Sequence, residues 1–300
     1  MTINIPTHFV DQYTSNLANL LEIKGGKLRP YVTVSSHVGE GAVAVDQEGP
    51  LEMLEVIGRG GPMPRMDAAT DRRWVYPVDY ELSQRVDTFD LLRTILPDPQ
   101  SRQVQRAARS AARKTDEVIF GKFFDVAKTG RSGEVNEVFD DTNHRVDAAL
   151  GAAADTGLNV DKIIRARRIL LQNNVDLEQE QAVMAIHPYQ EEDLLRQTQI
   201  INTDYLVANG GAPILKDGRV SRIAGIDIIT SMLVPTDANY RLNPMWVPSG
   251  MHLGVWSDLK VKVSERADIS GTPYQVYSQL TIGATRIEPG RVIKIECQEA

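Results

Sequence analysis

One stretch constrains this chain of 300 residues more than any other: residues 96–124, LPDPQSRQVQRAARSAARKTDEVIFGKFF. Pro97 stops whatever precedes it. Asp98 can accept from the free N–H groups of a first helical turn, and Pro99 suits the first helical position, where the N–H it lacks would have had no partner. Val104, Ala107, Ala108, Ala111, Ala112, Thr115, Val118 and Ile119 then recur at steps of three and four, the period of one helix face. Most of that face is alanine, so another backbone can approach it closely. Arg102, Arg106, Arg109 and Arg113 form a second stripe. About 26 residues at 1.5 Å each predict a rod of roughly 39 Å. A rod of that length is a spine, and the remaining elements must be arranged around it.

The composition removes several alternatives. A net charge of −7 argues against a general nucleic-acid binder, which is normally basic. Cys297 is the single cysteine, which excludes an intrachain disulfide and points to a reducing compartment. No apolar run approaches the roughly 18 to 20 residues that span a bilayer, the first residues lack the order of a signal peptide, and no Asn-x-Ser/Thr sequon occurs. The expectation is a soluble intracellular product without a membrane partner.

Taken in order, residues 1–35 form an arm. They have a short helical pattern at Phe9, Tyr13, Leu17, Leu20 and Leu21, and two glycines between Lys24 and Lys27. Its apolar residues need a surface outside the segment. Residues 36–80 alternate short β-prone runs (42–45, 51–57, 74–78) with breakers, which predicts a two-stranded ribbon with a glycine-rich tip. Such a ribbon is marginal alone and must lie on something. The tip, Gly58 to Gly61, precedes Pro62 and Pro64 rather than a helix, so it lacks the context of a phosphate-binding loop. Residues 80–96 have helical periodicity through Leu82, Val86, Phe89, Leu92 and Ile95, whereas 134–158 read as loop. A helix is expected over 161–173, a buried strand over 182–186, and a helix opening at His187-Pro188. A hairpin is expected at Lys216-Asp217-Gly218-Arg219, a turn-rich loop over 235–248 and strands over 251–263. Residues 274–297 read as an antiparallel pair folded about Glu288-Pro289-Gly290. The mixed order, without regular βαβ alternation, defines an α+β class.

The residues offer little chemistry. No serine-hydrolase elbow, zinc-protease helix, paired CxxC or Walker loop is present, and the five histidines are scattered. Asp140 to His144 is the one cluster with metal-ligand residue types, and a polar turn accounts for it. Cys297, in an alternating strand, reads as a small buried hydrophobe. No catalytic, cofactor-binding or metal site is expected, which favours a structural protein over an enzyme.

The order of parts resembles the major capsid protein of tailed bacteriophages, the Hong Kong 97 fold, over nearly the whole chain. The resemblance is carried by Arg73-Trp74 ahead of 87–93, by Asp98-Pro99 opening the spine, by AIHPYQEEDLL at 185–195, and by IGATR at 282–286 with 292–297. It implies an N-terminal arm (1–35), an E-loop (36–80), a P-domain (81–181 and 264–300, spine about 99–124) and an A-domain (182–263). It also implies a shell of many copies arranged as pentamers and hexamers around double-stranded DNA. Assembly would take place in the host cytoplasm, with scaffolding, portal or decoration proteins as further partners. An encapsulin-like compartment is the alternative within the fold, and an enzyme with an unrecognised site the alternative outside it. Arg102, Arg106, Arg109 and Arg113 would then face the acidic ribbon of a neighbour, packaged DNA or solvent. Some relatives join an E-loop lysine to a neighbour's asparagine. Here no lysine lies between Leu28 and Arg113, so a non-covalent shell is expected.

Overall fold

The computed structural model describes residues 25–53, 55, 66–86, 99–151, 154–197, 215–216, 219–270 and 272–299. The expected spine is one helix, α1 (Pro99–Lys122), about 36 Å long. Ala107, Thr115, Ile119 and Phe120 are buried on its inner face, and Phe123 just beyond its end. Strands β1 (Thr33–Ser36), β2 (Ala42–Glu48), β3 (Thr70–Val75) and β4 (Val78–Val86) precede it. After it come β5 (Ala127–Thr129), β6 (Val135–Glu137), β7 (Arg145–Val146), α2 (Val160–Gln172), β8 (Val183–Ile186) and α3 (Pro188–Leu195). The remainder is β9 (Leu215–Lys216), β10 (Arg219–Val220), β11 (Arg222–Ile223), β12 (Ile226–Thr230), β13 (Thr236–Asp237), β14 (Tyr240–Trp246), β15 (Met251–Glu265), β16 (Tyr274–Arg286) and β17 (Val292–Gln298).

Three larger sheets result. The central one runs β11-β12-β8-β14-β17-β7, with β13 beside β14; a long one runs β1-β15-β16-β4; a small one runs β2-β3-β5-β6. The central sheet is covered on both faces, which is why β8 is apolar at every position rather than at alternate ones. Met184 and Ile186 face a core closed by α2 and α3, which bury Ile163, Ala166, Leu170 and Leu194. Val183 and Ala185 face a second core, beneath α1, with Ile119, Phe120, Phe123, Leu253 and Ile282. The Trp246 ring, from β14, sits 4.7 Å from that of Phe123 in the second core.

Several expectations hold. Helix α2 begins where expected, with the Asn159 side chain accepting from Lys162 N–H, and β8, α3 and β15 occupy their predicted places. Arg219 pairs with Lys216 across the predicted hairpin. Cys297 is buried, and burial pushes its thiol up to about 12, so it behaves as a small hydrophobe.

Four expectations are corrected. Residues 80–86, read as helical, belong to strand β4, which pairs with β16 from Ile282↔Val78 to Tyr274↔Val86. Leu82 and Val86 satisfy both a helical and a two-residue period, and the open edge of β16 decides the outcome; residues 87–96 lie outside the described residues. The stretch 235–248, read as a loop, contains β14, buried through its second half and paired with β17 over seven positions. Pro244 is tolerated there because the ladder to β8 begins only at Met245. β16 and β17 do not form the expected hairpin. β16 pairs with β15 and β4, while β17 pairs with β14 and β7, so the turn at Pro289–Arg291 is a crossing between two sheets. The expected loop over 134–158 contains β6 and β7, two short strands that edge existing sheets.

Candidate assembly surfaces

The alanine face of α1 meets a backbone, as its composition predicts, and that backbone is the end of the arm. At Gly25 the chain passes so close to the helix that a Cβ there would lie 2.2 Å from Arg113 Cα. The next residues are fixed by Asp116, whose carboxylate accepts from the N–H groups of Lys27 (3.1 Å) and Leu28 (3.2 Å). Burial raises the Asp116 pKa, although these N–H groups and the Lys27 charge oppose the shift. Leu28 is completely buried, and Trp246 Nε1 donates to Tyr31 O at 2.8 Å. β1 then runs parallel to β15 from Thr33↔His252 to Ser36↔Val255. The last part of the arm therefore finds its outside surface on its own chain. Residues 1–24, including the pattern from Phe9 to Leu21, lie outside the described residues.

The ribbon is β2 against β3, and it lies on something through its root. β3 continues into β5 and β6, so the two strands become four. Two buried arginines fix that root. Arg73 donates to Ile287 O and pairs with Glu137. Arg286 donates to the carbonyls of Phe123 (2.9 Å), Asp125 (3.1 Å) and Glu137 (3.4 Å), with the Phe139 ring 5.1 Å from its guanidinium. Phe123 and Asp125 lie at the C-terminal end of α1, where a cation also suits the helix dipole. Burial lowers the Arg286 pKa to about 10, so the charge persists at neutral pH. At Gly283 a Cβ would come within 2.1 Å of Tyr76 O, so the returning ribbon presses directly on β16. Beyond the root, Leu51 and Met53 are exposed by 60% and 103%. The glycine-rich tip, Gly58 to Gly61, lies outside the described residues.

A histidine pair closes the junction between β1 and the ribbon. His37 Nε2 and His252 Nε2 are 2.9 Å apart while the ring centroids are 5.2 Å apart, so the rings meet nearly head-on in an N–H···N bond. Burial, then the neighbouring His37, lower the His252 imidazole to about 4.

Of the arginine stripe, Arg106 is exposed and Arg109 and Arg113 are half-buried, with Arg113 4.0 Å from Glu117 one turn on. Both half-buried arginines already make contacts within the chain. The Arg102 side chain lies outside the described residues. The Asp140–His144 cluster is the predicted polar turn, since Asp140 Oδ1 accepts from the N–H groups of Thr142 and Asn143. Sequence reasoning passed over Asp116, and it named Arg73 and Arg286 only as part of the resemblance, without their role at the ribbon's root. A signal for two of them existed, because an arginine within or beside an apolar strand must be buried with partners.

The family described as "Phage capsid protein" matches residues 5–299, and the chain belongs to that family. No curated protein sequence matches it. Among solved structures, the capsid of cyanophage P-SCSP1u is similar at 15% identity and a TM-score of 0.73, covering 97% of this chain and 94% of that one. The capsid of Ralstonia phage GP4 is similar at 15% identity and a TM-score of 0.72, covering 100% and 98%. The head of Helicobacter pylori bacteriophage KHP40 gives 12% identity and a TM-score of 0.70, covering 98% and 97%. The fold is that of Hong Kong 97, and the chain is a major capsid protein, a structural subunit of an icosahedral shell.

Proposed function

We propose that this capsid protein assembles in the host cytoplasm as pentamers and hexamers that close around the double-stranded DNA genome of a tailed phage, with no catalytic step of its own. The observation that supports this most is the ribbon. Its root is fixed by two buried arginines, yet Leu51 and Met53 stand in solvent. A rigid base carrying exposed apolar side chains is suited to lying on a neighbouring copy. Each such contact is modest, but a subunit held by several neighbours gains from multivalency.

In this reading residues 1–35 are the arm, 36–80 the E-loop, 81–181 with 264–300 the P-domain and 182–263 the A-domain. The stripe Arg102, Arg106, Arg109 and Arg113 faces a neighbour's acidic ribbon, which carries Glu48, Glu52 and Glu55. Scaffolding, portal and decoration proteins complete the particle. The shell is non-covalent, because the ribbon carries no lysine. Co-expression with the phage's scaffolding and portal genes, followed by sedimentation, tests the reading. Closed particles are expected from co-expression and nuclease-protected DNA in virions recovered from infection, each with a single 33.3 kDa band on a denaturing gel. Particles holding protein cargo instead would favour a compartment, and a monomer at high concentration would contradict assembly.

A further inference from the structure

The long sheet has two edges, and they are built differently. At one edge, β1 covers β15 only over His252–Val255; further out β15 is broken by two register shifts and carries Lys260 and Lys262. Irregular pairing and lysines are the usual guards against strand addition. At the other edge, β4 pairs with β16 over nine residues without a shift, and it holds no lysine, proline or glycine. Among the described residues no strand occupies its outer side. It is the unguarded edge.

The sequence of β4, VDYELSQRV, is complementary to itself when reversed about Leu82. An antiparallel second copy sets Asp79 opposite Arg85, Tyr80 opposite Gln84, Glu81 opposite Ser83 and Leu82 opposite Leu82. The faces agree as well. Asp79, Glu81 and Ser83 share the polar face, where they accept from Thr281 (2.7 Å), Tyr277 (3.0 Å) and Gln275 (2.5 Å) of β16. Tyr80 and Leu82 lie on the other face, opposite the buried Leu280 and Ser278, and border an open groove of about 330 Å³ beside α1. Leu82 remains 40% exposed there. A two-fold partner would cover it and would place an Asp79–Arg85 ion pair on each side of the axis. Opposite charges directly across an antiparallel pair stabilise it, and like charges there destabilise it.

We propose that β4 is an isologous interface, at which β4 strands of two copies pair antiparallel about Leu82 and join two four-stranded sheets into one. The proposal rests on the shell reading for where the contact occurs. The pairing itself needs only two copies. It has the form that closed symmetric assemblies use, in which the same patch serves on both sides.

Cysteine trapping tests it. Leu82→Cys places two thiols opposite each other at the axis, within the range a disulfide spans. Cys297 is buried and does not compete. Mild oxidation of Leu82→Cys shells should move most of the chain to twice 33.3 kDa on a non-reducing gel. Gln84→Cys alone should give no dimer, because it faces Tyr80. Adding Asp79→Arg to Leu82→Cys sets arginine against arginine at both flanks and should lower the dimer yield by about tenfold. Adding Arg85→Asp as well should restore it. Arg85 also lies near Asp268 of its own chain, so the restoration, not either single reversal, is decisive. Normal shells without the Leu82→Cys dimer, equal trapping through Gln84→Cys, or no restoration by the double reversal would overturn the proposal. If the wild-type chain forms no shells, the shell reading fails, and oxidation of concentrated free Leu82→Cys protein still decides the pairing.

Discussion

β8 and β14 turn alternate residues to two cores, and those cores are closed in different ways. The core under α2 and α3 draws its apolar members from 146–195, 220–228, Met245, Val247, Ile293, Ile295 and Cys297, with none from the arm. The core under α1 draws in Leu28 and Val32 from far away in sequence, and the sheet it covers then runs on into exposed strand. One face of the central sheet completes itself. The other depends on an arm and on a buried arginine joint, while the ribbon is left, in the proposed shell, for further copies to cover. The difference separates what folds the subunit from what assembles it.

The largest effect should come from the joint between the two systems. Arg286→Ala leaves the carbonyls of Phe123, Asp125 and Glu137 without this donor and removes the second cation beside the Glu137 carboxylate. Removing one member of such a buried charged group costs about 3–5 kcal/mol. Denaturant unfolding of the free subunit should show a loss of that size; a loss below about 1 kcal/mol would mean the joint carries no special load.

The same truncation on each face sharpens the contrast. Leu170→Ala and Leu28→Ala each open a fully buried site, worth about 2–5 kcal/mol. Leu170→Ala should shift global unfolding by that amount. Leu28→Ala should act locally first, so that hydrogen exchange at Lys27, Leu28 and Thr33–Ser36 accelerates while the global midpoint moves less. Equal global shifts would erase the distinction between the faces.

These effects also mark how far the sequence could be read. The spine, α2, β8, α3 and β15 were legible because their period, caps and turn residues are local. The place where the arm lands was half legible: the alanines of α1 announce a close backbone, but not whose. β4, β14 and the β16–β17 crossing were misread because neighbouring strands, not local period, set them. Pro244 fits β14 because it pairs with β17 while the ladder to β8 begins only at Met245. The arginine stripe was legible as a pattern, whereas Asp116 and the Arg73–Arg286 joint depend on partners about 90 to 214 residues away.

Acid should act on the face that depends on the arm. His252 is lowered from 6.5 to about 4, so between those values the unfolded chain takes up a proton that the folded chain refuses. Stability from this residue is complete above about 6.5, declines as pH falls through the window, and levels off below about 4, a total of up to about 3 kcal/mol. Melting of the subunit across that range should slope accordingly, and His252→Asn should flatten the slope. Burial lowers His37, His144 and His187 too, which adds slope in the same direction, while the raised carboxyls of Asp116, Asp193 and Glu296 oppose it, so the comparison with the variant, not the absolute slope, is decisive. An unchanged slope in the variant would remove the histidine pair from the account.

The smallest effect belongs to the arginine stripe. Exposed ion pairs contribute about 0–1 kcal/mol each. Arg106→Gln with Arg109→Gln should leave the free subunit's midpoint nearly unchanged while lowering the melting temperature of assembled shells. Equal melting of mutant and wild-type shells, empty and filled, would leave these arginines as a solvated face.

The central claim is that both cores close within one chain, the one under α1 with the help of the arm, whereas the ribbon's Leu51 and Met53 are left for a neighbouring copy to cover in the proposed shell. An electron cryomicroscopy reconstruction of the particles formed on co-expression tests it most directly. The account predicts closed icosahedral shells in which Leu51 and Met53 of every ribbon are covered by a neighbouring copy, while α2 and α3 keep the packing they have in the single chain. Monodisperse monomers, or shells in which the ribbon stands free and neighbours meet instead through the core under α2 and α3, would contradict it.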